Sequence, residues 1–469
     1  MKKFLALALA VLMTLSVLTA CGASNVPAET TPATTAAPAA ATEAPAEPAG
    51  DPVYIAENAS ELSGEITFYT AFAGENGTQA LIDEFNTYYP NVKVNFEVYK
   101  NSADGNIGLD TAIMAGDQVD VLLSFGVANT SERWKNGLLM DLTDRMAADN
   151  LNLVAEWGTD VYTQDGRSYV FPSGGLSVYV AINMDKWEAA GLGELPTEWT
   201  WDEYLAACEK LTEKDANGNV TVHGGSDFNQ KDYWTYAVRQ SKGHDVFYNA
   251  EGLCDFDNPL FTAALQREVD AAASGIWYSK ATYQSDSTRS RNCFLEGTNA
   301  TTVESILTRY ITGVEHDFKI GYAPYPTNAK GETNYMAGSN PNSFIAVAGN
   351  TKNPDAAYAF AKFAATYGNK YMFAAGHATT WTGVDTSSIL DVVFGSQAEA
   401  EKWIDTESFI RCVVAAGEPA YAESNIVAYA ELQSLVDEYT MYVLNGEMTA
   451  EEATAEMKML GDEAIEDAR

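Results

Sequence analysis

The residues that most constrain the fold lie between positions 166 and 212, where two apolar segments flank Pro172-Ser173-Gly174-Gly175. The first segment covers residues 168–171 and the second covers residues 176–183. A proline followed by paired glycines interrupts a strand and lets the chain change direction. We therefore predict that a strand leaves one lobe at this point and enters a second lobe, with Pro172, Ser173, Gly174 and Gly175 as hinge residues.

The first twenty residues predict a processing signal. Lys2 and Lys3 precede an apolar run over residues 4–18, which is too short to span a bilayer comfortably. The run ends in Leu18-Thr19-Ala20-Cys21-Gly22 and resembles the lipobox of bacterial lipoproteins, in which the cysteine becomes the lipidated first residue. We expect residues 1–20 to be removed, Cys21 to carry palmitate-type lipid, and the protein to sit on the outer face of the cytoplasmic membrane. An ordinary secretory peptide is the alternative.

Residues 21–60 are rich in alanine, threonine and proline and contain almost no large apolar side chains. Such a segment cannot bury enough surface to offset the entropy lost on ordering. We predict a disordered tether between the lipid anchor and the folded protein.

The charge balance excludes several partners. The chain has 28 basic and 65 acidic residues, a formal net charge of −37. Nucleic acid and anionic lipid both repel such a surface. We therefore expect no nucleic-acid partner, and membrane contact only through the lipid anchor.

Histidine and cysteine are too dispersed to predict a metal site, and we expect no metal and no cofactor. The chain contains neither a CxxC nor an HExxH pattern. Cys208 lies on the apolar side of a predicted helix and is expected to be a core thiol, although one disulfide among the four later cysteines stays open. The turn at residues 214–219 resembles a truncated calcium loop, with a plain hairpin as the alternative.

The start of the folded part alternates between strand and helix patterns. Residues 66–69, 92–98 and 119–123 read as strands, and residues 79–89 and 109–115 as helices. This alternation predicts a parallel sheet covered by helices on both faces. Ligands of such sheets bind beyond the carboxyl ends of the strands, which here means the loops at residues 70–76 and 124–129.

Several longer segments, in order, resemble one family. They are ITFYTAFAGENG, GDQVDVLLS with WKNGLLMDLTD, GRSYVFPSGG with VAINMDKWEAAGL, GSNPNSFIAVAGNTKNPDAAYAFAKF, and LNGEMTAEEATAEM. They are the most specific parts of a similarity to extracellular solute-binding protein family 1 that covers nearly all of residues 64–465. That family includes the maltodextrin-binding proteins and other sugar-binding lipoproteins of ABC importers.

The resemblance implies an α/β, two-lobed periplasmic-binding-protein-like fold of type II. Each lobe would be a mainly parallel sheet flanked by helices, with the ligand cleft between the lobes. The N-terminal lobe would comprise residues 61–172 and 343–380, and the C-terminal lobe residues 176–337 and 385–469. The implied partners are a small solute, most plausibly a carbohydrate, and the permease subunits of an ABC transporter. We expect a monomer.

The resemblance also implies ligand contacts. Phe72 and Asn76 lie where maltodextrin binders place an acidic contact, Phe125 where they place a stacking tryptophan, and Tyr233 at a pocket tyrosine. Sugar recognition needs aromatic faces and fixed hydrogen-bonding groups. The candidate ligand-binding residues are Phe72, Glu75, Asn76, Phe125, Asn129, Tyr233, Trp234, Glu304, Ser305, Asn340 and Trp381, with Gly338 added to the hinge. For the aromatic residues the alternative is core packing, and for Glu75 and Asn129 a solvated loop.

Three positions depart from the maltodextrin-binding pattern. Leu176 and Lys231 stand where that group has glutamates, and Leu307 replaces an aromatic residue. We therefore expect a ligand other than maltodextrin.

Two further functions remain open from the residues alone. A tethered glycosidase would need two carboxylates close together, and 65 acids make some such pair certain. A ligand sensor for a membrane receptor would use the same fold. Since the chain has no GxSxG elbow and no Walker loop, we expect a binding protein and not an enzyme.

Overall fold

The computed structural model describes residues 54–158, 162–226, 232–279, 282, 288–414, 421, 423 and 427–469. The predicted signal peptide, Cys21, most of the predicted tether and Lys231 lie outside these residues. The strands, numbered in chain order, are β1 Gly64–Thr70, β2 Val92–Val98, β3 Val121–Phe125, β4 Thr163–Gln164, β5 Arg167–Ser168, β6 Val170–Pro172, β7 Gly174–Leu176, β8 Tyr179–Asn183, β9 Glu213–Lys214, β10 Val220–Val222, β11 Thr301–Glu304, β12 Ile320–Pro324, β13 Asn340–Pro341, β14 Ser343–Val347 and β15 Ala378–Thr379.

Helices connect these strands. The α-helices of the described residues are Thr78–Tyr88, Ala103–Ala115, Val127–Lys135, Thr143–Ala148, Leu153–Trp157, Met184–Ala189, Trp201–Leu211, Tyr236–Lys242, Pro259–Ala273, Ser290–Leu295, Pro354–Ala365, Ile389–Phe394, Gln397–Trp403, Thr406–Phe409, Tyr429–Leu444 and Ala450–Asp467. None of the described helices is both long and apolar enough to cross a bilayer.

The N-terminal lobe contains a five-stranded sheet in the order β2-β1-β3-β14-β6. The pairs β1–β2 and β1–β3 are parallel, as the alternating pattern predicted, whereas β14 runs antiparallel to both β3 and β6. The helix Ala103–Ala115 begins six residues before the predicted start because Ser102 Oγ accepts a hydrogen bond from the Gly105 amide and caps it.

The sheet of the C-terminal lobe differs from the mainly parallel one that we expected. Its described strands follow the order β11-β8-β12, and β8 is antiparallel to both neighbours. Chain direction explains this arrangement. Strand β8 leads away from the crossing between the lobes, whereas β12 precedes the return to it, so the two strands run in opposite directions.

A third sheet links the lobes. Strand β7 pairs with β13 on one side, where Gly175 faces Pro341, and with β15 on the other. The pairing of β7 with β13 follows our expectation, but β15 was not predicted as a third crossing strand. Because Gly175 has no side chain, the strands can approach closely here: a Cβ added to Gly175 would lie only 2.1 Å from Ser339 Oγ. The expected single strand over residues 176–183 is therefore split into β7 and β8.

Separate hydrophobic cores underlie the two lobes. One large core contains Phe68, Phe85, Val121 and Phe360, and another contains Tyr204, Phe247 and Phe261. The second core includes the predicted apolar face of the helix Trp201–Leu211. That helix begins with a capping box in which the side chains of Thr200 and Glu203 each accept from the other residue's backbone amide.

Residues 54–60 belong to the folded part and not to the disordered tether in which we placed them. Tyr54 donates a hydrogen bond to Glu156 and packs against Trp381 at a ring distance of 6.5 Å. Ala59 is buried in the core of the N-terminal lobe. Tyr54 and Ile55 supply large side chains that the alanine- and threonine-rich residues before them lack, so this short segment can pack.

The turn at residues 214–219 is a hairpin turn between β9 and β10. Asp215 Oδ1 accepts hydrogen bonds from the amides of Asn217 and Asn219, both at 2.8 Å. Among the described residues, no group of three or more His, Cys, Asp or Glu side chains is arranged to hold a metal ion.

The four later cysteines are buried free thiols: Cys208, Cys254, Cys293 and Cys412. Burial raises the pKa of the Cys208 thiol to about 12, in keeping with the predicted core role.

Candidate functional site

A cavity of about 170 Å³ lies between the lobes. The N-terminal lobe contributes the loop after β3, and the crossing strands contribute Leu176 and Pro341. The remaining wall comes mainly from the C-terminal lobe. The residues that line the cavity are Gly126, Val127, Ala128, Tyr162, Leu176, Tyr236, Arg239, Met336, Asn340, Pro341, Asn342, Tyr421, Glu423 and Tyr429.

The loop after β3 reaches the cavity because the strand ends at Phe125. Gly126 adopts a φ of +74°, which lets the chain turn directly into the helix Val127–Lys135. Its amide donates to the carbonyl of Asn342 at 2.8 Å, which fixes the loop beside the crossing strands. This position, beyond the carboxyl end of a parallel strand, is the one that the sequence pattern predicted for a ligand loop.

Aromatic rings and one guanidinium form the opposite wall. Tyr236 and Arg239 lie on the helix Tyr236–Lys242, and the Arg239 guanidinium stands 4.8 Å from the centre of the Tyr236 ring. The same guanidinium lies 5.2 Å from the centre of the Tyr421 ring. The ring of Tyr233, one of the predicted contacts, packs against Tyr236 at 4.3 Å.

Glu423 is the acidic group of this wall. It is 7% exposed, and Tyr421 donates a hydrogen bond to its Oε1. Burial raises the pKa of the Glu423 carboxyl to about 7, although the positive charge of Arg239 acts in the opposite direction. Burial also raises the pKa of the Tyr421 and Tyr429 hydroxyls, which therefore stay protonated and able to donate.

Three buried polar atoms at this cavity have no hydrogen-bond partner within the described part of the chain. They are Asn340 Oδ1, Glu423 Oε2 and Arg239 Nε. A buried donor or acceptor left unpaired costs about 1–3 kcal/mol. The arrangement can therefore bind a polar molecule that supplies the missing partners.

A second contact between the lobes is filled by protein side chains. The ring of Phe72 lies 5.7 Å from that of Phe125 and 5.3 Å from that of His377. Arg309, from the other lobe, stands 5.7 Å from the centre of the Phe72 ring and donates to Asn76 Oδ1 at 3.4 Å. Burial, helped by the charge of Arg309, lowers the pKa of His377 to about 4.

The predicted ligand residues fall into several places. Phe72, Asn76 and Phe125 belong to the filled contact just described, and Asn340 lines the cavity. Glu75 and Asn129 are exposed: Glu75 lies three residues after Phe72, and Asn129 lies in the first turn of the helix Val127–Lys135 that follows Phe125.

Glu304 and Ser305 are buried at the end of β11. Glu304 Oε2 accepts from the amides of Ser305 and Ile306, both at 3.0 Å, and Oε1 pairs with Arg291 at 3.2 Å. Burial raises the pKa of Glu304, and Arg291 opposes that shift. Oε2 is thus hydrogen-bonded within the lobe, whereas Oε1 has the ion pair with Arg291 but no hydrogen-bond partner among the described residues.

Two predicted aromatic contacts are core residues, the alternative that we left open. Trp234 is 2% exposed and donates its indole N–H to Thr440 Oγ1 at 2.7 Å. Trp381 donates its indole N–H to Glu156 at 2.8 Å and packs against Tyr367. We therefore remove both from the ligand contacts.

The predicted hinge residues lie at the crossing strands. Pro172 ends β6, and the Ser173 amide donates to the Ser343 carbonyl at 2.9 Å. The Gly338 carbonyl accepts from Asn340 Nδ2 at 3.0 Å. Leu176, one of the departures from the maltodextrin-binding pattern, lines the cavity, whereas Leu307 is buried in the core of the C-terminal lobe.

Sequence reasoning missed most of the cavity: Tyr162, Tyr236, Arg239, Met336, Tyr421, Glu423 and Tyr429. One signal was available, the aromatic run at residues 232–236, but we selected Tyr233 and Trp234 from it and not Tyr236. Arg239 follows Tyr236 in the same helix, and the remaining residues come from three distant segments that have no shared motif.

Comparison with solved structures identifies the fold. The chain aligns with a sugar transporter of Rhizobium etli in an open conformation (16% identity, TM-score 0.69), covering 86% of this chain and 99% of that one. It aligns with an ABC substrate-binding protein of Listeria monocytogenes in complex with cycloalternan (19% identity, TM-score 0.65; coverage 86% and 99%). It also aligns with maltose-bound MalE3 of T. maritima (20% identity, TM-score 0.61; coverage 84% and 98%). The fold is the two-lobed type II fold.

No curated protein sequence matches this chain significantly. The family model described as "Bacterial extracellular solute-binding protein" matches residues 72–371, well over half of the chain. That span includes the loop after β3, the first two crossing strands and the helix with Tyr236 and Arg239. The chain therefore belongs to the bacterial extracellular solute-binding protein family.

Proposed function

We propose that this protein is the substrate-binding lipoprotein of an ABC importer, and that it captures a sugar between its lobes and presents it to a permease. The observation that carries the proposal is the cavity between the lobes, where tyrosine rings surround three buried polar atoms without a described partner. Aromatic faces pack against the C–H side of a sugar ring, and fixed polar groups bind its hydroxyls.

Closure of the lobes is the proposed mechanism. Backbone rotation on closure is usually confined to a few residues at element ends. Gly174 and Gly175 of the crossing strand β7, and Gly338 just before β13, are at such positions. A ligand that touches both walls binds the closed state more tightly than the open one and shifts the population toward it. Through the spacing of the lobes the permease would recognise the loaded protein without any bond being made or broken.

A titration with turnover control tests this function. The mature chain, incubated with radiolabelled neutral sugars, should bind one of them, raise its melting temperature, and release the sugar chemically unchanged. A ligand that binds only the folded state stabilises by about 2.7 kcal/mol at 100 times its Kd. Release of a hydrolysed product would favour the glycosidase alternative instead, and the absence of any binding would remove the proposal.

Spin labels test closure. Cysteines introduced at Asn129 and His244 place one label on each side of the cavity, and both positions are exposed. The native thiols are buried, and burial raises their pKa, so they should react slowly with the label. Saturating sugar should shorten the distance between the labels. An unchanged distance would leave a static binding protein.

Anchoring is proposed to depend on Cys21. Cys21→Ser should release the protein from the membrane, because two acyl chains would be the strong anchor that remains after removal of the signal peptide. Retention of the variant on membranes stripped of permease would contradict lipidation at this residue.

A further inference from the structure

Among the described residues, the cavity wall has one positive and one negative side chain. Of the residues that line it, Arg239 and Glu423 are the charged pair, and the others are apolar, tyrosine, asparagine or glycine. Glu423 lies in the field of groups from several elements: Arg239, Tyr421, Tyr429 and Asp245, together with Tyr162 and Tyr248. When the carboxylate is ionised, the two formal charges at the cavity cancel. A ligand with a net charge would face one attractive and one repulsive group.

Hydroxyl groups are the ligand groups that could satisfy all three unpaired atoms of the cavity. Asn340 Oδ1 can only accept hydrogen bonds, as can Glu423 Oε2 while its carboxyl is ionised, whereas Arg239 Nε can only donate one. A ligand that satisfies all three must supply two donors and one acceptor within one small space. Each hydroxyl group can play both roles, so a polyhydroxylated molecule meets this demand without any ionised group.

The volume limits the size of the ligand. Sites for drug-sized ligands usually measure about 300–1,000 Å³, and this cavity measures about 170 Å³. Leu176 and Pro341 of the crossing strands form part of its wall, and Gly126 and Ala128 form another part. A chain of several sugar units would exceed this space.

From these three observations, and resting on the proposed function, we propose that the cavity selects an uncharged polyhydroxylated ligand of about one sugar ring, a monosaccharide or an alditol. Glu423 and Arg239 are its specificity-determining residues: they bind the hydroxyl groups and disfavour charged analogues. Tyr236, Tyr421 and Tyr429 supply the apolar and aromatic surface against the carbon skeleton.

The test is calorimetric titration of the whole mature protein at pH 8, where Glu423 is ionised. The panel contains neutral monosaccharides and alditols, including D-glucose, D-galactose, D-mannose and D-mannitol. It also contains the uronate and amino analogue of each sugar and the matching trisaccharides, such as maltotriose. We expect at least one small neutral member to bind, and its charged and extended analogues to bind at least tenfold more weakly.

Two substitutions test the role of Glu423, one at the cavity and one as its matched control. Glu423→Gln should weaken binding of the best neutral ligand about tenfold, and it should reduce discrimination against the uronate, an effect that a merely structural role would not produce. Glu438→Gln makes the same change at an exposed position on the helix that begins at Tyr429. It should alter neither the affinity for the neutral ligand nor the discrimination against the uronate. Circular dichroism establishes that both variants fold.

The outcomes separate this inference from the proposed function. Tightest binding of a trisaccharide or of a charged analogue would overturn the inference and leave the solute-binding function intact. The same holds if Glu423→Gln folds and binds every ligand like the unchanged protein. If no sugar or alditol of the panel binds, both proposals fail.

Discussion

Two places where the lobes meet, apart from the crossing strands, differ in what fills them. Around Phe72, Phe125 and His377 the protein supplies its own side chains, and Arg309 from the opposite lobe covers the rings. Around Arg239 and Glu423 it leaves a cavity with unpaired polar atoms. Burial favours the neutral form in both places: it lowers the pKa of His377 to about 4 and raises that of Glu423 to about 7. The difference separates a contact between the lobes that protein side chains fill from one that, in our proposal, a solute completes.

The largest expected effect is on the filled contact. Phe125→Ala should lower the free energy of unfolding by about 3–5 kcal/mol, since a large buried ring is removed and a cavity is left. Phe125→Leu, which keeps most of the volume, should cost less than about 1.5 kcal/mol. Denaturant titration measures both. If Phe125→Ala instead kept its stability and lost sugar binding, Phe125 would be the stacking residue that the family resemblance implied.

The next effect is on the cavity. Tyr236→Ala should weaken sugar binding by about 1–3 kcal/mol, the usual cost of truncating an aromatic residue at a binding hot spot. Calorimetric titration measures the affinity, and Tyr442→Ala, near the other end of the helix that begins at the cavity residue Tyr429, serves as the matched control. Equal affinities of the two variants would show that the ring of Tyr236 is not part of the site.

The free energy of unfolding should depend on pH through Glu423, and this dependence should disappear when a glutamine replaces it. Because its pKa is raised from 4.5 to about 7 in the folded state, its contribution to stability is fully present below pH 4.5 and is lost as the pH rises through 7. Glu423→Gln should therefore gain about 1–3 kcal/mol relative to the unchanged protein between pH 4.5 and pH 8. Urea titrations at several pH values measure this gain, and Glu438→Gln should show none. If the unfolding free energies of all three proteins changed with pH in parallel, the pKa of Glu423 would not be raised by folding.

The smallest effect tests the edge of the filled contact. Asn76→Ala removes the acceptor of the 3.4 Å hydrogen bond from Arg309, so unfolding should become easier by about 0.5–1 kcal/mol. Sugar affinity should change less than threefold. A tenfold loss of affinity would instead place Asn76 among the ligand contacts, as the resemblance implied.

The fold was predictable from the sequence where the signal is local. Apolar alternation located β1, β2 and β3, the break at Pro172-Ser173-Gly174-Gly175 located the first crossing, and its partner strand was found from a second Gly–Pro segment. The direction of the strands in the C-terminal lobe could not be predicted from local sequence, because it depends on how the chain enters and leaves that lobe. The short strand β15 contains only Ala378 and Thr379, which is too little sequence for any pattern.

The candidate site was less predictable. Residues at the ends of predicted strands, such as Phe125, could be chosen from the pattern, and Asn340 could be chosen from the second crossing. Arg239 and Glu423 are separated by more than 180 residues and meet only after the C-terminal lobe has folded. Each alone resembles any other charged side chain in a chain with 65 acids and 28 bases.

The position of β14 within the first sheet bears on how the protein reaches its destination. Ser343–Val347 lies between β3 and β6, although it follows them by well over a hundred residues. While an emerging chain is shorter than this, β3 and β6 have no strand to join them, and the sheet of the N-terminal lobe stays incomplete. Synthesis order thus delays stable folding until late in translation. An export machinery that threads unfolded polypeptide would meet a chain that has not yet closed its first lobe.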